Sequence, residues 1–407
     1  MIERYQSMID ELLSSPLPYP EGRFSGKGIV ICGGGVRYFP CAWVLINTLR
    51  HLGCQLPVEL WHKGAGEMNS QMKELITRLG VTCVDAYEVA KAHSVRRLYG
   101  WELKPFSIIN SRFEEVLYID ADNMPVRNPE FLFSTQEYDE SGAIFWPDRY
   151  MGRGDGIRWL LPMAWEVCKV PFRDEPEIEA GQLVINKQKC WPGLQLAMHI
   201  NEHSDFYYQY FYGDKDTFHL AWRRVGLDYS LVPHRPRGLG GDAVILQSGF
   251  DGQLLFQHRN SDKWKLDGSN QRIAGFVLED LCREFLAELR RQWSGKVRNI
   301  PEEFSPVERA AYDSVVKSRF FTYKREGYDE RTLELLPDFR IGSGAARMEL
   351  GWDLEEDKDG NPTLILLNNG GPTCFLSRAE GDAWKGRWLI YERMPIELKP
   401  IELKPLP

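Results

Sequence analysis

The feature that most restricts how this chain can fold is a regular alternation of apolar and amphipathic segments over its first 120 residues. Compact apolar segments, typical of buried strands, occupy 28–32, 58–61, 81–84 and 116–119, and helical patterns occupy 41–52 and 67–79. Gly53 and Gly80 follow the two helical segments, at the position where a helix commonly ends on a left-handed residue. Strand–helix alternation predicts an α/β fold, with a mainly parallel, Rossmann-like sheet and helices on both faces.

The same patterns divide the chain into four regions. Residues 1–27 form an amphipathic and Pro/Gly-rich lead-in, and 28–300 form the α/β domain. Further helices are expected at 155–170, 188–201 and 276–294, and 206–225 should hold an aromatic-rich stretch and another helix. Short strands separated by the turns DKDGN, NNGG and EGD follow, and they predict a small β-rich module over 305–395. Residues 396–407, which contain IELKP twice in succession, are interpreted as a tail.

Composition excludes one class of partner. The net charge is −8 at pH 7 and no block of Lys and Arg occurs, so a nucleic-acid partner is not expected. The chain has 13 Trp, 17 Tyr and 20 Phe. Aromatic faces stack on the C–H faces of sugars, so this content suits a carbohydrate-binding cleft, and it is equally compatible with a bulky core.

The eight cysteines are scattered and form no C-x-x-C pair, which argues against a zinc site. They are expected to be buried thiols of a reducing compartment. The N-terminal residues lack the pattern of a signal peptide, and no apolar run reaches the roughly 18 residues of a transmembrane helix. The expected location is therefore the cytoplasm, without a transmembrane segment.

The strongest local signal is Asp120-Ala121-Asp122, directly after the strand 116–119. Ligands of open α/β sheets bind beyond the carboxyl ends of the strands. Two carboxylates at such an end can hold a hard divalent cation, whose remaining ligands a diphosphate can supply. The cation then acts as a Lewis acid on a leaving diphosphate. An acid–x–acid triplet alone is not specific, and a solvated turn after a strand is the alternative.

Two further segments carry suitable side chains. In His258–Trp264, the imidazole of His258 can complete a metal shell and Lys263 can contact phosphate, although the segment can also be a simple polar loop. Glu179–Asn186 is interpreted as an acidic, amide-bearing turn that opens onto a strand and could lie beneath a sugar ring. Asp216, in the segment Gly213–Phe218, could join it, or could instead cap a helix.

Together these segments resemble a known family. The segments YIDADNMPVRNPEFLF, GAIFWPD, EAGQLVINKQKCW, NEHSDFYYQYFYGDKDTFHLAW and LLFQHRNSDKW are similar to those of the fungal Golgi α-1,3-mannosyltransferases and their bacterial relatives, over about residues 28–265. A more distant similarity is to glycogenin and the bacterial lipooligosaccharide galactosyltransferases. The resemblance implies a GT-A glycosyltransferase domain that takes a nucleotide-sugar donor and a carbohydrate or glycosylated acceptor.

The resemblance also implies roles for individual residues. Asp120, Asp122 and His258 would bind the metal, which is usually Mn²⁺, with Mg²⁺ as the alternative, and Asp120 would also contact the donor ribose. Lys104 and Lys263 would contact the donor phosphates. The loop with Gly33, Gly34, Gly35 and Arg37 would hold the base and ribose, and the residues facing the donor sugar would be Asp148, Glu179, Gln182 and Asp216.

Such families usually retain the anomeric configuration. Retention proceeds either through a carboxylate nucleophile, for which Glu179 and Asp216 are the candidates, or by entry of the acceptor on the leaving-group face. The closer resemblance implies GDP-mannose as the donor and the distant one a UDP-hexose. The chain departs from the distant group at three places: Glu179 begins the sugar-side turn, Lys215 replaces a Gln, and the segment after His258 lacks a Gly and a Pro.

Three other functions fit parts of the sequence less well. A sugar-nucleotide pyrophosphorylase should have a glycine-rich N-terminal loop followed by a Lys, and Gly33–Pro40 contains Arg37 but no Lys. A carbohydrate-binding protein with an inactive transferase core would not need the intact acids. His199–His203 fits the H-x-x-E-H pattern of zinc peptidases, but it lies inside one of the transferase-like segments.

Overall fold

The computed structural model describes residues 2–149, 162–211, 213–241, 243–297, 304–346, 349–368, 371–388 and 394–401. These residues divide into two compact units. The first contains the described parts of 1–34, 38–62 and 70–295, and the second contains 35–37, 63–69 and the described residues from 296 onward.

The first 149 residues contain six helices and six strands, in which apolar segments form the strands. In chain order the elements are α1 (Ile2–Ser14), β1 (Lys27–Cys32), α2 (Gly35–His51), β2 (Val58–His62), α3 (Ser70–Thr77), β3 (Val81–Asp85), α4 (Ala86–Ala92), α5 (Leu103–Asn110), β4 (Glu115–Ile119), β5 (Asn123–Pro125), a 3₁₀ segment (Pro129–Ser134), α6 (Gln136–Ser141) and β6 (Ala143–Pro147).

The part of the chain from 162 to 297 adds helices to both faces of the sheet and four short strands after a long one. Its elements are α7 (Pro162–Val167), β7 (Ile178–Asn186), α8 (Lys187–Glu202), α9 (Ser204–Tyr207), α10 (Lys215–Val225), β8 (Ser230–Leu231), β9 (Arg237–Leu239), β10 (Val244–Ser248), β11 (Leu254–His258) and α11 (Glu279–Gln292).

The main sheet has seven strands in the order β3-β2-β1-β4-β7-β6-β8. Neighbouring strands from β3 to β4 are parallel, β7 runs antiparallel to both β4 and β6, and β8 is parallel to β6. All strands except β7 therefore point the same way, so the carboxyl end of β4 lies at the centre of one sheet edge.

Helices cover both faces of this sheet. Successive side chains of a strand point to opposite faces. Trp61 of β2 belongs to the core cluster that contains Phe106 of α5 and Leu194 of α8. Its neighbour Leu60 lies on the other side, near Ala42 of α2 around Gly33. The predicted class, a mainly parallel α/β sheet with helices on both faces, is confirmed.

A second, four-stranded sheet has the order β5-β11-β10-β9 and is antiparallel throughout. Its strand β5 follows β4 after the turn at residues 120–122, so the two sheets are linked at the acid triplet. Asn123 of β5 lies opposite His258 of β11 in this ladder. The ladder thereby determines which residues meet at the end of β4.

The second unit contains a separate antiparallel sheet of seven strands in the order β13-β12-β18-β17-β16-β15-β14. Its elements are α12 (Pro306–Ser318), β12 (Phe320–Arg325), β13 (Asp329–Glu334), β14 (Gly351–Glu356), β15 (Pro362–Asn368), β16 (Gly371–Arg378), a 3₁₀ turn (Glu380–Asp382), β17 (Trp384–Trp388) and β18 (Pro395–Pro400). Trp352, Leu364 and Leu376 are fully buried in its core, which also includes Val315 of α12. The predicted β-rich C-terminal region is confirmed.

Several boundaries differ from the predicted ones. The first IELKP segment, predicted to lie wholly within a tail over 396–407, instead forms strand β18 between β12 and β17, because Ile396 and Leu398 are buried in the core of this sheet. The lead-in 1–27 contains helix α1, whose Ile9 is buried. The helix predicted at 155–170 is seen as α7, and its first residues, up to 161, lie outside the described residues.

Candidate active site

The acid triplet forms a tight turn where β4 leaves the main sheet. The amide of Asp120 donates to the carbonyl of Gly181 on the neighbouring strand β7 (2.8 Å), and the amide of Asn123 donates to the carbonyl of Asp120 (2.9 Å). These two bonds fix both ends of the turn. Asp122 is buried, whereas the side chain of Asp120 is about one quarter exposed (24%). The turn therefore presents one carboxylate to the interior and one to the surface.

The ladder between β5 and β11 brings His258 to this turn. Besides the pairing of His258 with Asn123, the amide of Arg259 donates to the carbonyl of Asp122 (2.9 Å). The imidazole Nε2 lies 3.4 Å from Asp122 Oδ1 and 4.0 Å from Asp120 Oδ2. One ligand atom from each of the three residues falls within 4.8 Å of the others. The three side chains predicted to bind a metal thus converge.

The donor set of this cluster suits a divalent cation. Carboxylates are preferred by Mg²⁺ and Mn²⁺, and an imidazole moves the preference toward transition metals. Two carboxylate oxygens and one nitrogen leave coordination positions open for a ligand, as a catalytic rather than a structural site requires. The residues present therefore fit a bound Mn²⁺.

The imidazole of His258 lies between two carboxylates. Nδ1 of His258 lies 3.3 Å from Glu179 Oε1, on the side opposite Asp122. Burial lowers the pKa of His258, but the carboxylates of Asp122 and Glu179 reverse this and raise it to about 10. Burial favours neutral Asp122, yet Lys263 and His258 hold its pKa well below the usual value. Because a metal ligand must be a neutral imidazole, a cation would displace this proton.

Both predicted phosphate-binding lysines lie against the acids. Lys263 Nζ contacts Asp122 Oδ2 and the carbonyl of Asn260 (3.0 Å). Lys104 Nζ donates to Asp120 Oδ2 (3.2 Å) and to the carbonyl of Ala180 (2.8 Å), and it pairs with Asp214 (2.9 Å). Although burial alone would lower it, the pKa of Lys104 is raised by Asp120 and Asp214. Lys104 and Lys263 therefore carry positive charge beside the acid turn.

The segment with Glu179 and Gln182 is part of a strand, which corrects the predicted turn. Both residues lie within β7, where Gln182 pairs with Ile119 and its Oε1 accepts a hydrogen bond from Asn123 Nδ2 (2.6 Å). Gly181 lies between them. A Cβ at this position would lie 2.5 Å from His258 Nδ1 and 2.7 Å from Glu179 Oε2. Polar residues and a glycine favour a turn in this segment, but its backbone pairs with β4 in the main sheet.

A second buried cluster surrounds Lys215. Its Nζ lies 2.7 Å from Asp148 Oδ2, 3.0 Å from Glu177 Oε2 and 3.3 Å from Asp216 Oδ1. Burial raises the pKa of Asp216 to about 7, against the opposing effect of Lys215. Asp216 lies inside helix α10, its carboxylate faces the Lys215 ammonium, and it makes no capping hydrogen bond, so the alternative role of helix cap is not observed. Buried acceptors of this kind can receive hydrogen bonds from sugar hydroxyls.

The predicted nucleotide loop starts at the end of β1. The amide of Gly33 donates to the carbonyl of Trp61 (3.0 Å), and a Cβ at Gly33 would lie 3.3 Å from Ala121 Cβ, between the two acids. Gly33 is therefore adjacent to the acid turn. Gly34 is the residue before helix α2, and Gly35 and Arg37 lie in the first turn of that helix.

The side chains of the H-x-x-E-H segment also come together. His199, Glu202 and His203 lie at the end of α8, with one ligand atom of each within 4.8 Å of the others. Nδ1 of His203 lies 2.9 Å from the carbonyl of His199, and His199 Nδ1 is 3.7 Å from Glu202 Oε1. This group shares no residue with the cluster around Asp120.

Four residues of the site were not assigned a role from the sequence. Tyr118 donates to Asp120 (2.7 Å), Asn123 holds Gln182, Asp214 pairs with Lys104, and Glu177 pairs with Lys215. Tyr118 lies two residues before Asp120, so the strand period could have placed it on the same face. Asn123 directly follows the acid triplet and Asp214 lies within the segment Gly213–Phe218, whereas no sequence signal distinguishes Glu177.

Comparison with known proteins gives a consistent match. Residues 26–156 and 172–244 match a family model described as "Mannosyltransferase putative". The α-1,2-mannosyltransferase MNN2 of Saccharomyces cerevisiae is 26% identical over 280 residues, which are 59% of this chain and 46% of that protein. The α-1,2-mannosyltransferase MNN24 of Candida albicans is 29% identical over 251 residues, covering 53% of this chain and 35% of that protein. The chain spans less than half of the length of these relatives.

The resemblance to fungal mannosyltransferases is confirmed, with a difference in linkage. The relatives are named α-1,2-mannosyltransferases, whereas the resemblance of the sequence segments predicts an α-1,3 enzyme. Among solved structures, the glycosyltransferase GlyE of Streptococcus pneumoniae aligns with a TM-score of 0.40 at 14% identity, covering 72% of this chain and 73% of that one. The galactosyltransferase LgtC aligns with a TM-score of 0.35 at 15% identity, covering 50% and 73%. Within the described residues, no helix combines the length and apolarity needed to cross a membrane.

Proposed function

Because this chain belongs to the mannosyltransferase family whose model it matches over half its length, we propose that it transfers a mannosyl residue from GDP-mannose to a carbohydrate acceptor with the help of a divalent cation. The observation that carries the proposal is the convergence of Asp120, Asp122 and His258 at the carboxyl end of β4. This is the sheet edge at which α/β proteins bind their ligands.

The charge of the site supports a role for the cation. Seven carboxylates lie in the two clusters described above, against four basic side chains: Asp120, Asp122, Asp148, Glu177, Glu179, Asp214 and Asp216, and Lys104, Lys215, His258 and Lys263. A donor diphosphate brings further negative charge. A divalent cation at Asp120, Asp122 and His258 would offset this repulsion and stabilise charge on the leaving diphosphate.

The protein's own groups would divide the remaining tasks. Lys104 and Lys263 lie where they can exchange their acid partners for phosphate oxygens once the acids bind a cation. Asp216 and Glu179 would accept hydrogen bonds from the hydroxyls of the donor sugar, and Gln182 is held in place by Asn123. In the reaction, the bond between the anomeric carbon and the phosphate oxygen breaks. The acceptor hydroxyl oxygen bonds to the anomeric carbon, its proton passes to the departing phosphate oxygen, and GDP leaves.

We propose that the anomeric configuration is retained. The relatives are named α-mannosyltransferases, and GDP-mannose carries an α-linked phosphate, so an α-linked product corresponds to retention. The anomeric proton–carbon coupling of the product, measured by NMR, distinguishes α from β. A β-linked product would contradict retention, and it would exclude Glu179 and Asp216 as nucleophiles that form a covalent intermediate.

The test is a panel of melting temperatures with GDP-mannose, GDP, UDP-galactose and UDP, each with and without Mn²⁺. A ligand at 100 times its Kd should stabilise the protein by about 2.7 kcal/mol. We expect GDP compounds with Mn²⁺ to give the largest shift, and Asp122→Asn to abolish it. Asp139→Asn, on the exposed surface of α6, is the matched control and should keep it. A shift with UDP compounds alone would exclude GDP-mannose as the donor, and no shift with any nucleotide would contradict the proposal as a whole.

A further inference from the structure

Trp101 differs from the other tryptophans of the described chain in its exposure. Trp101 is 41% exposed, whereas the eleven other described tryptophans are each at most 7% exposed. Indole rings contribute strongly to binding surfaces because they provide a large rigid area with one polar atom. Such exposure of a single Trp needs an explanation from its surroundings.

The residues on either side of Trp101 hold it outward. The neighbouring Glu102 is buried, and its carboxylate accepts hydrogen bonds from the amide of Gly100 (2.7 Å) and from the hydroxyl of Ser204. Leu103, at the start of α5, is also buried. Turning the indole inward would extract Glu102 from these bonds and leave a buried hydroxyl without its acceptor. The local structure therefore keeps the ring at the surface.

The indole packs against Gly213 and Tyr208, which together form its seat. Gly213 has a φ of +75°, and a Cβ on it would lie 3.0 Å from Trp101 Cε3. The ring of Tyr208 lies on another side, with 6.0 Å between centroids and an angle of 53°. A ring seated on a glycine and a second aromatic ring is preorganised, so a ligand that stacks on it need not order it.

This seat adjoins the candidate active site. The amide of Lys104 donates to the carbonyl of Trp101 (3.1 Å), and the Lys104 side chain contacts both Asp120 and Asp214. Asp214 directly follows Gly213, on which the indole lies. Trp101 is thus bonded through its backbone to Lys104, and its indole packs against the residue that precedes Asp214, so the exposed ring lies in the same part of the molecule as the groups proposed to bind the donor.

We propose that Trp101 is the stacking platform for the acceptor saccharide, with its seat formed by Gly213 and Tyr208. This inference rests on the proposed function. A saccharide fits this surface because the C–H face of a pyranose stacks on an indole, while its hydroxyls can face the adjacent charged groups. The contacts proposed above for the donor are polar and involve the two acid clusters, whereas the exposed surface of Trp101 is apolar and therefore suits the other substrate.

The test measures transfer from GDP-mannose to linear α-mannotriose, with KM for the triose and kcat determined separately. Trp101→Ala should raise KM for the triose about tenfold, which is about 1.4 kcal/mol, while its melting shift with GDP and Mn²⁺ is kept. Trp101→Phe keeps an aromatic face and should restore most of the affinity. Phe131→Ala is the matched control, since Phe131 is also an exposed aromatic residue (37%). It lies in the 3₁₀ segment Pro129–Ser134, which contacts the amino end of β1 through a hydrogen bond from Lys27 to the carbonyl of Phe133, and so lies at the sheet edge opposite the candidate active site.

The seat provides a second, independent pair of variants. Gly213→Ala should raise KM for the triose, because its methyl group displaces the indole. Gly226→Ala loses a glycine with a similar φ of +73°, but its Cβ would meet nothing within 4 Å, so it should leave KM unchanged. An unchanged KM in Trp101→Ala, or an equal rise in Phe131→Ala, would overturn the platform. Failure of the wild-type protein to respond to any nucleotide with Mn²⁺ would instead overturn the proposed function.

Discussion

At the scale of single residues, the candidate site is a set of buried charges that neutralise one another. His258 lies between the carboxylates of Asp122 and Glu179, and Lys104 between those of Asp120 and Asp214. Buried charges are costly unless they are paired. Each acid that could bind a cation is therefore paired with a basic side chain. Binding of a metal and a diphosphate would require the acids to exchange these basic partners for the metal, and the lysines to exchange the acids for phosphate.

Asp216 gives a prediction for the dependence of stability on pH. Since burial raises its pKa from 3.8 to about 7, the folded protein keeps a proton here that the unfolded chain releases at lower pH. The residue's contribution to the free energy of unfolding is therefore fully present below about pH 4 and is lost as the pH rises through 7. The slope from one group is at most about 1.4 kcal/mol per pH unit.

Urea denaturation of the wild type and of Asp216→Asn between pH 4.5 and 8 measures this contribution. The stability of the wild type relative to the variant should fall as the pH rises, because only the wild type carries the titrating group. Asp139→Asn, at an exposed position of α6, should change stability equally at all pH values. If the free energies of unfolding of the wild type and of Asp216→Asn differ by the same amount at every pH in this range, Asp216 is ionised in the folded protein.

At the scale of elements, one antiparallel strand and one short ladder position the site. Strand β7 lies beside β4 and carries Glu179 and Gln182, while β11 pairs with β5 and carries His258. Side chains alternate between faces with a period of two, so a shift of one residue in either ladder would move these groups away from the acid turn.

Gly181→Ala tests the contact between these two strands. Its methyl group would lie 2.5 Å from His258 Nδ1, so the imidazole or Glu179 must move. We expect the loss of mannosyl transfer and of the melting shift with Mn²⁺. Gly28→Ala is the comparison, because its methyl group would lie 2.4 Å from the ring of Phe113, at the other end of β1. It should lower the melting temperature but keep the response to Mn²⁺, and equal loss of that response in both variants would contradict the predicted contact.

Strand β18 gives a prediction for the second unit. It lies between β12 and β17 and buries Ile396 and Leu398. Removing everything after Met394 exposes two strand edges and removes about 1.5–3 kcal/mol of burial for each of the two side chains. Limited proteolysis should then cleave within 304–388 at a protease concentration that spares a chain ending at Ile401. Equal resistance of the two chains would show that β18 contributes little.

At the scale of the whole molecule, the reactivity of the eight cysteines measures how tightly the interior of each unit is packed. All eight are free thiols, and six of them are buried. Burial raises the pKa of Cys41 and of Cys54 to about 12, and the thiolate is the reactive form. The folded chain should therefore react slowly with a thiol reagent at neutral pH.

Titration with a chromogenic disulfide reagent checks this expectation. In guanidinium chloride without a reductant, all eight thiols should react at once, and addition of a reductant should not increase the count. In the folded protein, Cys83 should react before the buried thiols, because it is partly exposed. Fewer than eight thiols in the unfolded chain would reveal a disulfide, and rapid reaction of the folded chain would contradict the tight packing.

Much of the α/β unit follows from local patterns. The strands that lead to Asp120 and the helices between them are recognised from periods of two and 3.6 residues, since these periods depend only on neighbouring residues. The family was identified from a resemblance in the segments around Asp120, Glu179, Asp216 and His258. Local patterns did not reveal that Glu179 lies within a strand, because a strand that is buried on both faces need not alternate.

The sequence by itself determined the kind of protein: the alternation of strands and helices, the acid turn at the end of β4, and the family to which the segments belong. Only the tertiary structure decided which distant residues come into contact. His258 contacts both Asp122 and Glu179, and Lys215 forms ion pairs with three acids. The structure also decided that Trp101 alone among the described tryptophans lies at the surface. The physical reason is that strand pairing and burial depend on contacts between residues far apart in the chain. A local pattern of polarity does not contain that information.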